Sequence, residues 1–163
     1  MVSLMSALFG CSGKRNTNET TDVYPKESFS VLKAQLNGKP VIGSFNMAYK
    51  DYGEKEKYSW SMIISIGLDS TGLYDNGLPK PEESAVAEKL EDQLVDGIKK
   101  ITTAHYIGHL FNDTFLDIYI YTNEPKKVDA FLQTQANNPS RTRPFAYKTK
   151  NDPNWSIVSE FLK

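Results

Sequence analysis

The sequence lacks the residues that several common kinds of site require. Cys11 is the only cysteine, so the chain can form neither an intrachain disulfide nor a zinc site built on several cysteines. It contains no serine-nucleophile motif of the GxSxG type and no glycine-rich phosphate loop. No apolar run approaches the roughly 20 residues that cross a bilayer as a helix. We therefore predict no cofactor, no metal ion and no catalytic residue of a familiar type.

The chain also has no marked excess of positive or negative charge. The 19 Lys and Arg residues nearly balance the 20 Asp and Glu residues, which leaves a net charge of -1. Binding to naked nucleic acid or anionic lipid grows with the number of phosphates neutralised, so we expect no strong nucleic-acid binding. The 163 residues, 39% of them hydrophobic, suit one packed domain.

The first 27 residues differ in composition from the remainder, and we place the domain at 28–163. An apolar stretch at 2–9 precedes Gly10 and Cys11, and a polar stretch follows. Leu8, Gly10 and Cys11 match the aliphatic, small and lipidated positions of a bacterial lipoprotein signal, although no Lys or Arg precedes them. We expect a membrane-anchored lipoprotein with its lipid on Cys11 and a tether to residue 27. The alternative is a cytoplasmic protein with an apolar start.

The domain begins with a predicted β-hairpin. Asn37-Gly38 is typical of a tight hairpin turn, because both positions tolerate a positive φ. A charged loop at 51–57 then leads to YSWSMIISIGL (58–68), whose alternate residues form one apolar face. Because that loop is short, we expect the strands on either side of it to pair antiparallel.

Helical and extended patterns alternate through the remainder. A helix is predicted from Pro79 to about Lys100, with a buried stripe at four-residue spacing and its charged residues, Glu91 among them, in solvent. Strands at 101–110 and 116–122, a second helix from Asn123 and a strand at 141–150 follow. Asp152-Pro153 is typical of the start of a short last helix, which places Trp155, Val158 and Leu162 on one side.

This order predicts an α+β fold: a ferredoxin-like split βαββαβ core, preceded by a β-hairpin and followed by a short C-terminal helix. In a ferredoxin-like sheet the first core strand already has two neighbours. The hairpin therefore packs elsewhere or the strand order differs, and periodicity leaves both open.

Four stretches occur together in an order that resembles a known family: NGKPV (37–41), DNGLPKPEE (75–83), YIGHL with LDIYIYT (106–122), and NDPNWSIVSEFL (151–162). From Ser28 to Lys163 they resemble bacterial domain-of-unknown-function family 695 (DUF695). That family is similar to the regulator of ribonuclease E activity B family, whose members are ferredoxin-like and act by binding a ribonuclease. In DUF695 a basic residue commonly follows the glycine of the YIG stretch, where this chain has His109. The resemblance implies a fold, and it carries no catalytic motif over to this chain.

His105 and His109 form an HxxxH pattern within a predicted strand. Strand residues four apart share a face, but they stand about 13 Å apart, whereas zinc–nitrogen bonds are about 2.0–2.1 Å. Without a bulge the pair cannot bind one ion. We expect two partly exposed strand histidines and no metal site.

The strand at 116–122 and the residue before it carry a candidate interaction face, made of Phe115, Asp117, Tyr119 and Tyr121. We favour packing of this face against the hairpin or the last helix. Base stacking on the aromatic rings is the alternative, although the strand lacks the basic, glycine-containing signature of RNA-recognition modules.

These observations favour a non-enzymatic protein-binding or regulatory module, with an unknown protein partner or a second copy of the chain. The alternatives are a hydrolase-like enzyme with an unrecognised site and a weak RNA-binding module. Regulation of a ribonuclease requires the cytoplasm, so a lipid anchor on Cys11 would exclude it.

Overall fold

The computed structural model describes residues 23–163, which form one six-stranded antiparallel sheet and two helices. Cys11 and most of the predicted signal and tether lie outside the described residues. Within them, neither helix is both long and apolar enough to cross a bilayer. The strands are β1 (Phe29–Leu36), β2 (Lys39–Asn46), β3 (Trp60–Gly67), β4 (Ala104–Asn112), β5 (Phe115–Thr122) and β6 (Phe145–Asn151); the helices are α1 (Pro81–Ile101) and α2 (Pro125–Ala136).

The predicted first hairpin is confirmed. Asn37 and Gly38 have φ values of 52° and 79°, and β1 pairs with β2 from Phe29↔Asn46 to Leu36↔Lys39 without a register shift. Two residues in the left-handed region give the turn a twist that matches the flanking strands.

The strand order is β1-β2-β4-β5-β3-β6, so the expected pairing of β2 with β3 is wrong. Both edges of β3 are occupied, one by β5 and the other by β6. The free edge of β4 accepts β2 instead. The chain passes from β2 to β3 through two 3₁₀ turns, Met47–Tyr49 and Lys55–Tyr58, which lie over the face of the sheet opposite the helices. The hairpin therefore extends the sheet at the β4 edge.

The helix-side core holds the predicted inner faces of α1 and α2. Leu90, Leu94 and Ile98 of α1 pack with Val128 and Leu132 of α2 over β3, β4 and β5. The prediction that all the charged residues of α1 lie in solvent is wrong, because Glu83 and Glu91 are buried. Glu83 is hydrogen-bonded by Arg143, in the loop before β6, and Glu91 by Tyr106 of β4, as buried charges require.

The opposite face of the sheet is covered by residues 152–163, which form consecutive turns and no regular helix. The predicted C-terminal helix is therefore wrong. Trp155 has a φ of 54°, which ends any helix there, and the Asp152 carboxylate accepts hydrogen bonds from the backbone N–H groups of Ser156 and Ile157. The predicted inner residues Trp155, Val158 and Leu162 are nevertheless buried.

Candidate functional site

Within residues 23–163, no helix packs over the hairpin strands β1 and β2. The helix-side core takes its buried residues from α1, α2, β3, β4 and β5, and none from β1 or β2. Val31 of β1 and Ile42 of β2 face that side and are 66% and 37% exposed. Beside the helices, the sheet thus ends in a ledge with an apolar surface.

A groove, called here the hairpin groove, runs between this ledge and α1. Its apolar end is a cavity of about 470 Å³, walled by α1 and by the loop that precedes it. The residues that line this end are Val31, Ile42, Gly43, Ser44, Tyr74, Asn76, Leu78, Pro79, Ser84, Glu88, His109 and Phe111. Most of that surface is carbon, and its polar groups come from the strands and the loop as well as from α1.

The other end of the hairpin groove is acidic. It is a cavity of about 360 Å³ lined by Glu27, Phe29, Glu88, Glu91, Asp92, Val95, Asp96, Lys99, Tyr106 and His109. Lys99 is the only Lys or Arg among these residues. Successive turns of α1 supply Glu88, Asp92 and Asp96, so their charges follow the length of the groove. A cation entering this end would meet several carboxylates.

His109 lies where the two ends meet, and it is bound to buried Glu91. Its Nδ1 is 2.8 Å from Glu91 Oε2, and the Tyr106 hydroxyl donates to Glu91 Oε1 at 2.7 Å. Burial lowers the pKa of His109, but the hydrogen bond and charge of Glu91, with the charges of Glu88 and Asp92, outweigh it and raise the pKa above its ordinary value. Burial, reinforced by Glu91, raises the pKa of the Tyr106 phenol as well.

A β-bulge in β4 places His109 on this side. The pairing of β4 with β5 shifts between Tyr106 and Gly108, so one extra residue stands against β5. Tyr106 and His109 therefore both face α1, whereas His105 faces the opposite core. The expectation that the two histidines share a face is wrong for this reason. Among residues 23–163 no group of three or more possible ligand side chains is placed to hold a metal ion.

Gly108 makes the bulge sterically feasible. Its φ is 152°, and a Cβ at this position would overlap the Ser44 carbonyl oxygen and the Phe45 ring. A glycine within a strand pattern is the one sequence signal that could have predicted the bulge. No comparable sequence signal marks Glu91 or Tyr106, because each fits the ordinary pattern of the amphipathic helix or strand that contains it.

His105 is fully buried, which corrects the expectation of a partly exposed side chain. Rings of Tyr24, Tyr49, Tyr52, Tyr58 and Trp155 surround it, with centroids 4.1 to 5.9 Å away. Its Nδ1 is 3.1 Å from the Tyr49 hydroxyl, and its Nε2 has no hydrogen-bond partner among the described residues. Burial, with the charges of Lys57 and Lys99, lowers the pKa of His105 to about 4.

The four residues of the predicted interaction face are not equally accessible. Tyr119 and Tyr121 are buried beneath the C-terminal segment, where Tyr121 stacks on Trp155 with centroids 4.3 Å apart. Asp117 accepts a hydrogen bond from the Ser65 hydroxyl, and burial raises its pKa. Phe115 is the exposed member. Because base stacking needs open rings, Tyr119 and Tyr121 could contribute only if the C-terminal segment moved away.

Residues 27–163 match the model of a family of unknown function, DUF695. The predicted family is thereby confirmed, whereas its likeness to the regulator of ribonuclease E activity B family stays a prediction. No curated protein and no solved structure matches the chain.

Proposed function

The chain belongs to the DUF695 family, whose function is unknown, and we propose that it is a non-enzymatic module that binds a segment of a partner protein in the hairpin groove. The observation that carries the proposal is the uncovered apolar ledge of β1 and β2 beside the acidic flank of α1. Contiguous exposed apolar surface rimmed by polar groups is typical of interaction sites.

The two ends of the groove specify the chemistry of the partner segment. Apolar side chains would bury Val31 and Ile42 at one end. Lysine or arginine side chains would pair with Glu88, Asp92 and Asp96 at the other, since complementary charge selects the partner and orients it. The expected partner segment is therefore apolar at one end and basic at the other.

The fold that we propose for residues 58–151 is the ferredoxin-like one, with the hairpin as an addition at its edge. The strand order β4-β5-β3-β6, the antiparallel pairing and the two intervening helices support this assignment. The predicted likeness to a family of ribonuclease regulators would agree with a binding role, and that agreement is an analogy of fold.

Selection from a displayed random-peptide library against the purified chain would test the groove. We expect the selected peptides to combine apolar residues with Lys or Arg. Ile42→Lys should weaken their binding at least tenfold, which corresponds to about 1.4 kcal/mol, because it places an ammonium group on the apolar floor.

Phe115→Lys is the matched control, since Phe115 is a similarly exposed apolar strand residue that lines neither end of the groove. Its affinity for the selected peptides should be unchanged. Peptides without basic residues, or a loss of binding in Phe115→Lys but not in Ile42→Lys, would refute the groove as the site.

A second candidate function is acid–base catalysis in the same groove. The observation that favours it is the Glu91–His109 pair, because a carboxylate on Nδ1 orients an imidazole whose Nε2 can then act on a substrate. Ser44 stands opposite His109 in the β2–β4 pairing, but no hydrogen bond of its hydroxyl to the imidazole is present among the described contacts. A hydrolytic activity abolished by His109→Gln, with peptide binding intact, would show that the groove is catalytic as well as a binding site and would contradict a non-enzymatic module.

A further inference from the structure

The outer edge of β1 carries no paired strand within residues 23–163. β1 is eight residues long, pairs regularly with β2 along its whole length, and is exposed throughout except at Leu32, which is half-buried. It includes four apolar residues with large side chains, Phe29, Val31, Leu32 and Leu36, and a single charge at Lys33. A long, regular and largely apolar edge is a template for another strand.

The backbone geometry identifies which groups this edge offers. Ser28, just before β1, accepts a hydrogen bond from Met47 N–H at 2.8 Å and donates its own N–H to the Asn46 side chain at 3.0 Å, so its polar groups point toward β2. In an antiparallel pair, the backbone N–H and C=O groups of successive residues point alternately toward the partner strand and away from it. The even-numbered residues of β1 therefore bond to β2, and Phe29, Val31, Lys33 and Gln35 direct their N–H and C=O groups outward.

We infer that two copies of the chain form a homodimer by antiparallel pairing of their β1 edges about a two-fold axis at Leu32. In this register Val31 stands opposite Lys33 of the second copy and Phe29 opposite its Gln35, so every outward-pointing residue of β1 has a partner. The two Leu32 side chains face each other across the axis.

The neighbouring registers are less favourable. An axis at Lys33 would place two ammonium groups directly opposite each other, and like charges in that position are destabilising. An axis at Val31 would leave Gln35 without a partner on β1. An axis between two residues would place each residue whose N–H and C=O groups point outward opposite one whose groups point toward its own β2. No regular ladder of hydrogen bonds could then form between the two β1 strands.

Pairing of β1 with the other edge strand, β6, is also disfavoured. Lys148 and Lys150 lie on β6, and lysine on an edge strand opposes strand addition. A β1–β6 contact would moreover be head-to-tail and would propagate into an open filament, whereas a β1–β1 contact closes as a dimer.

The dimer would bring the two hairpin grooves side by side. A two-fold axis perpendicular to the sheet keeps the helices of both copies on the same face. Five strand spacings would separate the two β4 strands, which is about 24 Å. The inference itself needs only the β1 edge and does not depend on the groove binding anything.

The oligomeric state of the full chain in solution is the first test. Sedimentation velocity should give twice the chain mass of 18.4 kDa. Val31→Pro should give a folded monomer, because proline removes an outward N–H group that β2 does not use. Val31→Thr, which keeps that N–H group and a β-branched side chain, is the matched control and should remain a dimer. Circular dichroism and cooperative unfolding would verify that each variant is folded.

Disulfide trapping tests the register without a destabilising change. The two Leu32 residues would stand opposite each other with their backbone N–H and C=O groups pointing away from the second copy. Such pairs have Cα atoms about 4.5 Å apart, within the 4.4–6.8 Å over which a disulfide forms. In a Cys11→Ser background, Leu32→Cys should crosslink to its copy on mild oxidation, and Val31→Cys should not. A native chain that is monomeric at its highest soluble concentration would overturn the inference. A folded Val31→Pro dimer, or crosslinking at Val31 and not at Leu32, would overturn it as well.

Discussion

The burial of His105 predicts that acid destabilises this protein through one side chain. A protonated imidazole donates from both ring nitrogens, yet Nε2 has no acceptor among the described residues and the side chain is fully buried. The pKa of His105 is accordingly lowered to about 4 from its ordinary 6.5. The unfolded chain therefore binds this proton before the folded chain does, so stability is lost as the pH falls below about 6.5.

The size of the effect follows from the two pKa values. Their separation corresponds to about 3 kcal/mol once the pH is below both of them. At pH 5 the folded His105 is still mostly neutral and the unfolded one is mostly charged, which gives a loss of about 2 kcal/mol relative to pH 7.5. That is a large part of the 5–15 kcal/mol that usually stabilises a domain.

Urea denaturation of the wild type and of His105→Gln at pH 7.5 and pH 5 measures this loss. The variant should lack about 2 kcal/mol of the acid destabilisation, whatever its stability at pH 7.5. Taking the difference between the two proteins cancels the titration of His109 and of the carboxylates. The chain has two histidines, so NMR titration of the imidazole resonances gives a second readout on the unmodified protein.

The reasoning would be refuted if both proteins lost stability equally, or if the His105 resonance titrated near 6.5. Either result would mean that the surrounding Tyr and Trp rings stabilise the imidazolium by cation–π attraction as strongly as burial disfavours it.

Three further predictions concern other contacts. NMR titration should show a lower pKa of His109 in Glu91→Gln than in the wild type, because burial is then opposed only by the charges of Glu88 and Asp92. The stabilisation that the Glu91–His109 pair provides should be present below about pH 6.5 and lost as the pH rises through the raised pKa of the wild type. Asp152→Asn should lower the free energy of unfolding by about 2–4 kcal/mol in urea denaturation, because it replaces a buried carboxylate that accepts several hydrogen bonds. A loss below about 1 kcal/mol would contradict the role of Asp152 as the anchor of the C-terminal segment. Gly97→Ala should lower stability by about 1–3 kcal/mol despite its better helix propensity, because the added Cβ would overlap the Phe131 ring between the helices; a gain in stability would show that Phe131 can move away.

The elements of the sheet and helices were predictable because their signals are local. The four-residue spacing of Leu90, Leu94 and Ile98 predicts the buried face of α1, and Asn37-Gly38 predicts the first turn. The C-terminal segment shows the limit of such patterns. Its apolar residues are buried as their spacing indicated, but the conformation is a series of turns, since Asp152 binds the backbone N–H groups of Ser156 and Ile157 while Trp155 adopts a positive φ.

The hairpin groove was beyond prediction from local patterns. It exists because β2 pairs with β4 rather than β3, and that choice depends on which strand edges the other pairs leave free. The same holds for Glu91, whose place in an amphipathic helix predicted solvent and whose burial follows from Tyr106 and His109 on a strand packed beneath it.

The sequence by itself determined the number and kind of most elements, the family, and the absence of familiar catalytic motifs, because spacing and residue type within a few turns of chain carry that information. Only the tertiary structure decided which histidine faces the groove. One extra residue in the β4 bulge reverses the alternation of side chains, so His105 enters an aromatic core and His109 meets Glu91. A bulge forms where the whole sheet accommodates it, through Gly108 against Ser44 and Phe45, and such long-range packing leaves little trace in local sequence.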